Sequence, residues 1–214
     1  MNGVHGITQE TPTRIPFGAG FYFQGVEYNE KVAPTLDACK AACVGATQEG
    51  GTITFTPEFF DIPLDGAQVL VEELKKQIGE KSQMEVSFAE LTPDLMARQM
   101  MAQIGETTDK KHTVLTSAGG LRKGHFYAGF GFYGEFIDGR EMIIMYKKAL
   151  CTSGFVMEPK PKANPVFKGT FECHSDLEYG VTKLPYVIFI HNEEGWVVTT
   201  PEDLAAVVES AQTA

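Results

Sequence analysis

Three stretches of this sequence gather residue types that could do chemistry. Residues 129–134, Gly-Phe-Gly-Phe-Tyr-Gly, spell G-x-G-x-x-G. In a dinucleotide site such glycines form a tight turn between a strand and a helix, and backbone amides meet a pyrophosphate there. The surroundings here differ. Phe126, Ala128, Phe130, Phe132, Gly134 and Phe136 alternate with Tyr127, Gly129, Gly131, Tyr133 and Glu135. That alternation predicts a strand, and Asp138-Gly139 after it predicts a hairpin turn in place of a helix start. We read the aromatic face as core or subunit interface, and the glycines as points where another element comes close. A row of rings can also stack bases or sugars, but Arg122 and Lys123 flank it at one end only and the chain is acidic.

The second stretch is Glu172-Cys173-His174-Ser175-Asp176. A thiol and an imidazole could act as nucleophile and base, but neighbours in a strand point to opposite faces. No G-x-S-x-G elbow is present. The third is Cys39 and Cys43, spaced to share one face of a short helix over 36–44. A zinc site would need two further converging ligands, and His5, His112, His125, His174 and His191 are scattered. Together with Cys151 and Cys173 they read as reduced thiols. We therefore expect no enzyme, no cofactor and no metal.

Composition bounds the rest. The chain has 214 residues, 18 Lys+Arg against 28 Asp+Glu, and a formal charge of −10. That length suits one domain. With 43% hydrophobic and 21% charged residues the chain is globular, not disordered. The acidity argues against gripping phosphates of nucleic acid or anionic lipid. Residues 1–14 are polar, with no signal-peptide pattern, and no apolar run approaches the roughly 20 residues of a membrane span. Synthesis in a cytosol and no membrane insertion are expected. The 22 glycines and 11 prolines point to a turn-rich β-structure.

Elements follow from pattern. Residues 1–16 read as an N-terminal arm, 17–28 as a first strand and 52–56 as a second. Pro57 and Pro63 confine 59–64 to an edge or a protruding arm. Residues 67–78 carry a helical stripe, Ala67, Leu70, Val71, Leu74 and Ile78, with good helix formers between, so propensity alone favours helix. Met84, Val86 and Phe88 form the buried side of a strand. Thr92-Pro93-Asp94 starts a helix, whose stripe Ala97, Met100, Met101 and Ile104 runs until Gly105. Strands are expected over 123–137, 141–151, 154–159, 166–175 and 185–191, and Thr200-Pro201-Glu202-Asp203 opens a C-terminal helix with stripe Leu204, Val207, Val208 and Ala211. The expected class is mainly β (α+β): an antiparallel barrel or sandwich with one flanking helix over 93–104 and a short C-terminal helix.

A series of phrases, in fixed order over about three-quarters of the chain, resembles the major tail tube protein of tailed bacteriophages and phage-derived tail particles. They are Ile7-Thr8-Gln9-Glu10-Thr11-Pro12, Phe17-Gly18-Ala19-Gly20, residues 44–55, Leu64-Asp65-Gly66-Ala67, Leu74-Lys75-Lys76, Met84-Glu85-Val86-Ser87-Phe88, Glu90-Leu91-Thr92, Ala149-Leu150-Cys151 through Glu158-Pro159-Lys160, and 166–174. The insertion at 29–43 and the extension at 191–214 depart from the pattern.

The resemblance implies a tail-tube-like β domain over 1–190 with a long hairpin arm at about 52–88, and makes 67–78 extended against its helical stripe. It implies hexameric rings stacked into a hollow virion tail tube, assembled in a bacterial host's cytoplasm and conducting the genome. Its partners would be further copies of itself and other tail proteins: tape measure, terminator, baseplate and, in a contractile tail, a sheath. DNA would pass the lumen without specific binding. The arm candidates for subunit contact are Phe59, Phe60, Ile62, Leu64, Val69, Leu70, Val71 and Leu74; the strand-borne acids that could face the lumen are Glu85, Glu135, Glu141 and Glu172. The alternatives are another tail ring component, such as a terminator or baseplate protein, or a β-rich cytosolic module that binds a ligand on its aromatic strand.

Overall fold

The computed structural model describes residues 15–65, 69–157 and 165–192. The expected C-terminal helix and residues 1–14 of the expected 1–16 arm lie outside them, and Pro16 opens the first strand. Ten strands and two short helices are described: β1 (Pro16–Phe23), α1 (Leu36–Ala41), β2 (Thr47–Asp61), β3 (Lys75–Phe88), α2 (Pro93–Gln99), β4 (Ala102–Glu106), β5 (Thr113–Ser117), β6 (Tyr127–Phe136), β7 (Glu141–Cys151), β8 (Val156–Met157), β9 (Phe167–Cys173) and β10 (Tyr186–Ile190). The fold is mainly β and antiparallel, as the turn-rich composition and hairpin signals predict. Among the described residues no helix is long and apolar enough to cross a membrane.

Eight strands form one sheet in the order β1-β6-β7-β9-β3-β2, with β10 on β7 and β8 on β9. β7 carries two neighbours along one side: β10 pairs from Met142 to Tyr146, and β9 from Ala149 to Cys151. The sheet curls until its ends meet. Phe23 bridges Cys43, and the Val44 amide donates to the Tyr22 carbonyl at 2.9 Å just before β2 begins. Gly51 lets β2 close onto β1, because a Cβ there would stand 2.2 Å from the Tyr22 hydroxyl.

The concave side holds the main core. Tyr22, Met84, Val86, Phe88, Leu95, Tyr127, Phe130, Ile144, Tyr146 and Phe171 are all buried within it. Phe171 is its centre: its ring stacks on Phe130 at 4.4 Å and meets Tyr127 edge-on at 5.1 Å. Such pairs add about 0.5–1.5 kcal/mol each beyond their burial. A smaller core of Phe23, Cys39, Tyr133, Ile143 and Met145 lies on the opposite face under α1.

Several sequence expectations change. β1 ends at Phe23, where the chain turns toward α1. β6 begins at Tyr127, after a 3₁₀ turn over Lys123–His125 held by the Arg122 amide on His125 Nδ1 at 3.0 Å. Its alternation is broken at Gly129, which takes φ +54°, so Tyr127 and Phe130 both enter the main core. α2 starts at the predicted cap, with Thr92 Oγ1 accepting from the Leu95 amide at 3.2 Å. It stops well before Gly105, because Met101 takes φ +51° and residues 102–106 leave as β4 to pair with β5. The helical stripe over Met100 and Ile104 is therefore false, and both side chains are about half exposed. Helix propensity there is outweighed by ladder pairing with β5, where Thr113, Val114 and Thr116 are β-branched. Cys39 and Cys43 share no helix face: α1 ends at Ala41, Cys39 is buried and Cys43 is exposed.

Candidate assembly surface

β2 and β3 are 15 and 14 residues long and pair continuously from Gly51↔Val86 out to Asp61↔Lys75, with one irregularity at Glu58/Phe59. At the root Met84, Val86 and Phe88 are buried, and Phe55 packs on Tyr186 at 4.9 Å. Beyond the Thr56↔Lys81 pair the hairpin leaves the core. Phe59, Phe60, Ile62, Leu64, Val69, Leu70 and Val71 are exposed, Leu70 at 78% and Val69 at 75%, while Leu74 is half-buried. Phe59 and Phe60 are adjacent in a strand, so each face of the arm carries one ring. Among the described residues no apolar side chain from another element is seen to cover these exposed positions.

The arm is held extended by its own pairs. The Ile62 amide donates to the Leu74 carbonyl at 2.8 Å. Lys75 pairs with Asp61 at 3.1 Å and sits 5.3 Å over the Phe59 ring, and Lys81 pairs with Glu58 at 2.6 Å. The Glu58 carboxylate also raises the Lys81 ammonium above its ordinary range. The described part of 67–78 holds only a single 3₁₀ turn, Glu72–Leu74, and then continues into β3. Residues 66–68 lie outside the description.

The acids Glu85, Glu135, Glu141 and Glu172 lie on the face of the sheet opposite the main core: Glu85 and Glu172 alternate with residues that enter it, and Glu135 and Glu141 fall in step with Tyr133 and Ile143 of the smaller core. They are brought together as two pairs, not one cluster. Glu85 sits between Thr52 and Thr170, and Glu172, diagonal to it, accepts from Thr152 Oγ1 at 3.1 Å. Glu135 and Glu141 stand directly opposite each other across β6–β7. Tyr133 Oη donates to Glu141 at 3.2 Å; burial, then this carboxylate, push the phenol up to about 12.

A second surface has no strong sequence signal. The loop at 175–184 is pinned by Asp176, which pairs with Lys148 at 2.6 Å and Lys147 at 3.5 Å and accepts the Tyr179 amide at 2.8 Å. Tyr179 and Lys183 both reach Glu30. So held, the loop presents Leu177 and Val181 almost fully to solvent, at 91% and 81%. Between it and the arm root lies a groove of about 870 Å³ lined by Gln77, Ile78, Gly79, Leu184 and Tyr186.

The other chemical candidates are placed as follows. The G-x-G-x-x-G run lies inside β6, and Phe130 and Tyr133 are buried, so it offers neither a phosphate turn nor a stacking platform. Cys173 is in the main core, its thiol pushed up to about 12 by burial; His174 lies edge-on to Phe126 at 5.7 Å. Among the described residues no group of three His, Cys, Asp or Glu side chains is placed to hold a metal.

No protein-family model and no curated protein matches the chain. Among solved structures, a chain from the virion of a native gene transfer agent particle is similar, with a TM-score of 0.33 and 13% identity, over 66% of this chain and 85% of that one. A likeness that slight carries no argument about this chain.

Proposed function

We propose that the chain is a structural virion protein, the subunit of a phage-type tail tube built from stacked hexameric rings through which a genome passes. The observation that carries this reading is the β2–β3 arm: long, rigidly paired, and apolar on both faces outside its own core. An isolated subunit gains nothing from such an arm, which would expose a sticky surface. A subunit that repeats gains a contact, because a surface that fits a different surface on the next copy propagates into a ring or a stack. The ordered phrases from residue 7 to 174 that resemble tail tube proteins support the same role, and no catalytic group is needed for it.

The charge fits a conduit. Six copies carry about −60 by formal count, and a wall of that sign repels DNA. Glu85 and Glu172, on a threonine-lined face of β3 and β9, are our first candidates for that wall.

Negative-stain images of the purified protein, with light scattering across concentration, test the reading. Open-ended tubes of six-fold symmetry are expected. Single rings that never stack would assign the chain to a terminator or baseplate role instead, and a monomer at every concentration and salt would overturn both.

A further inference from the structure

Among the described residues the outer edge of β10 has no strand partner and no protecting device. The Lys147 amide donates to the Pro185 carbonyl at 2.9 Å and the His191 amide to the Glu141 carbonyl at 3.0 Å. Both contacts keep the register Tyr186↔Tyr146 to Ile190↔Met142. Antiparallel ladders alternate bonded and non-bonded pairs, so Val187 and Phe189 bond to β7 while Ile188 and Ile190 turn their N–H and C=O groups outward. Among the described residues no strand pairs with that side. Tyr186-Val187-Ile188-Phe189-Ile190 contains no charge, no proline and no bulge. Those are the devices that protect an edge, and β2 has two of them in Pro57 and its register shifts.

We propose that β10 is the acceptor for the arm of a second copy, whose segment Val69-Leu70-Val71 adds to it as an antiparallel strand. This rests on the tube reading and names the surface that receives the arm. Among the described residues the segment has no strand partner, it is exposed, and its last residue is already extended, with φ −110° and ψ 131°. Neither partner carries a charge to bury, while main-chain bonds and apolar side chains supply the recognition. Charge sets the direction. Antiparallel addition carries Glu72 and Glu73 of the incoming arm past the Pro185 end of β10. There Lys183 is 64% exposed and meets Glu30 only loosely at 3.6 Å, and Lys147, 3.5 Å from Asp176, lies nearby, while the Glu80 carboxylate at that end is already engaged by the Leu184 amide at 2.6 Å. Parallel addition would carry the same acids toward Glu141.

The test uses two full-length variants. Ile188→Pro removes an outward N–H without touching a bond to β7, and Leu70→Asp disables the arm. Neither alone should grow tubes. Mixed, they should form a species containing both chains, visible by native mass spectrometry, because the intact arm of one fits the intact edge of the other. If wild type assembles but Ile188→Pro assembles equally well, or the mixture forms no joint species, the β10 proposal falls and the tube reading stands. If wild type never assembles, both fall. Should Ile188→Pro fail to fold by far-UV circular dichroism, Ile190→Pro takes its place. Amide exchange on wild type gives an independent reading: Ile188 and Ile190 should slow at least about tenfold on assembly. No slowing, or full protection already in the dilute subunit, overturns the proposal.

Discussion

Ser82 Oγ and Tyr146 Oη lie 2.5 Å apart in the buried interior, joining β3 at the root of the arm to the middle of β7. The two strands are not neighbours in the sheet, so this bond spans the curled core and ties the arm's base to the central strand. Burial raises the Tyr146 phenol above its ordinary range, so both partners of this bond are neutral hydroxyls. Ser82→Ala leaves the Tyr146 hydroxyl buried without its partner and should cost about 1–3 kcal/mol in urea unfolding. Adding Tyr146→Phe removes the orphan, so the double variant should lose less than the two single losses combined.

Leu70→Asp and Phe59→Asp should block tube growth and leave the subunit folded. Both side chains stand in solvent, where substitutions usually change stability by no more than about 0.5 kcal/mol. Sedimentation reads assembly and far-UV circular dichroism reads folding. Loss of the β signal would show instead that these residues belong to the subunit's own core.

Two glycines of the β6–β7 hairpin should respond differently to alanine. Gly139 takes φ +83° in open space, so its substitution carries only the left-handed backbone penalty of about 1–2 kcal/mol. Gly129 has φ +54°, and an added Cβ would lie 1.7 Å from the Val26 carbonyl oxygen. Gly129→Ala must therefore move the 24–28 turn as well, and its melting temperature should fall clearly below that of Gly139→Ala.

The loop at 175–184 should loosen in acid at a predictable place. The Lys148 ammonium and then the Tyr179 amide hold the Asp176 carboxyl down at about 2. A depressed carboxyl stabilises the fold above its unfolded value, about 3.9. That contribution fades as pH falls below this value and is gone once pH passes through about 2. Protection of the Tyr179 amide, taken relative to its intrinsic exchange rate at each pH, should fall over that window from pH 5 downward, and Asp176→Asn should show the lower protection already at pH 5.

Much of the fold is legible in local pattern: the alternation of Met84, Val86 and Phe88, the Asp138-Gly139 turn and the Thr92-Pro93 cap all appear where the residues predict. What local pattern misses depends on distant partners. The helical stripe Ala97, Met100, Met101 and Ile104 runs on past Gln99, yet Ala102–Glu106 is a strand because β5 supplies a ladder. Gly129 looks like one more position in an alternating strand, yet Val26 presses against it from another part of the chain. Residues 59–64 of the arm are readable from Pro57 and Pro63, whereas Val69, Leu70, Val71 and Leu74 carry a helical stripe and join the arm only through the resemblance. The side of β10 that no described strand pairs with is not readable locally, since which side of a strand is unpaired is a property of the whole sheet.

The acidic face leads to the last prediction. At about 0.15 M salt, charges separated by more than about 8 Å are largely screened, so only acids close to the wall's surface can repel a passing duplex. Glu85 is exposed and Glu172 half-buried on one face, with Thr52, Thr152 and Thr170 around them and Lys168 on the same strand as Glu172. Assembled wild-type protein should therefore fail to retain duplex DNA on a filter at that salt. Glu85→Lys with Glu172→Lys changes the face by four charges per subunit and places cations where phosphates would pass. Retention should then appear and fall steeply with added salt, at close to 0.9 log units of affinity per log unit of salt for each phosphate neutralised. The same two substitutions at Glu135 and Glu141 should have less effect, because those acids stand beside the smaller core at the hairpin end of β6–β7. Salt-sensitive retention by the wild type would refute a repulsive wall, and equal retention by the two double variants would refute its placement on β3 and β9.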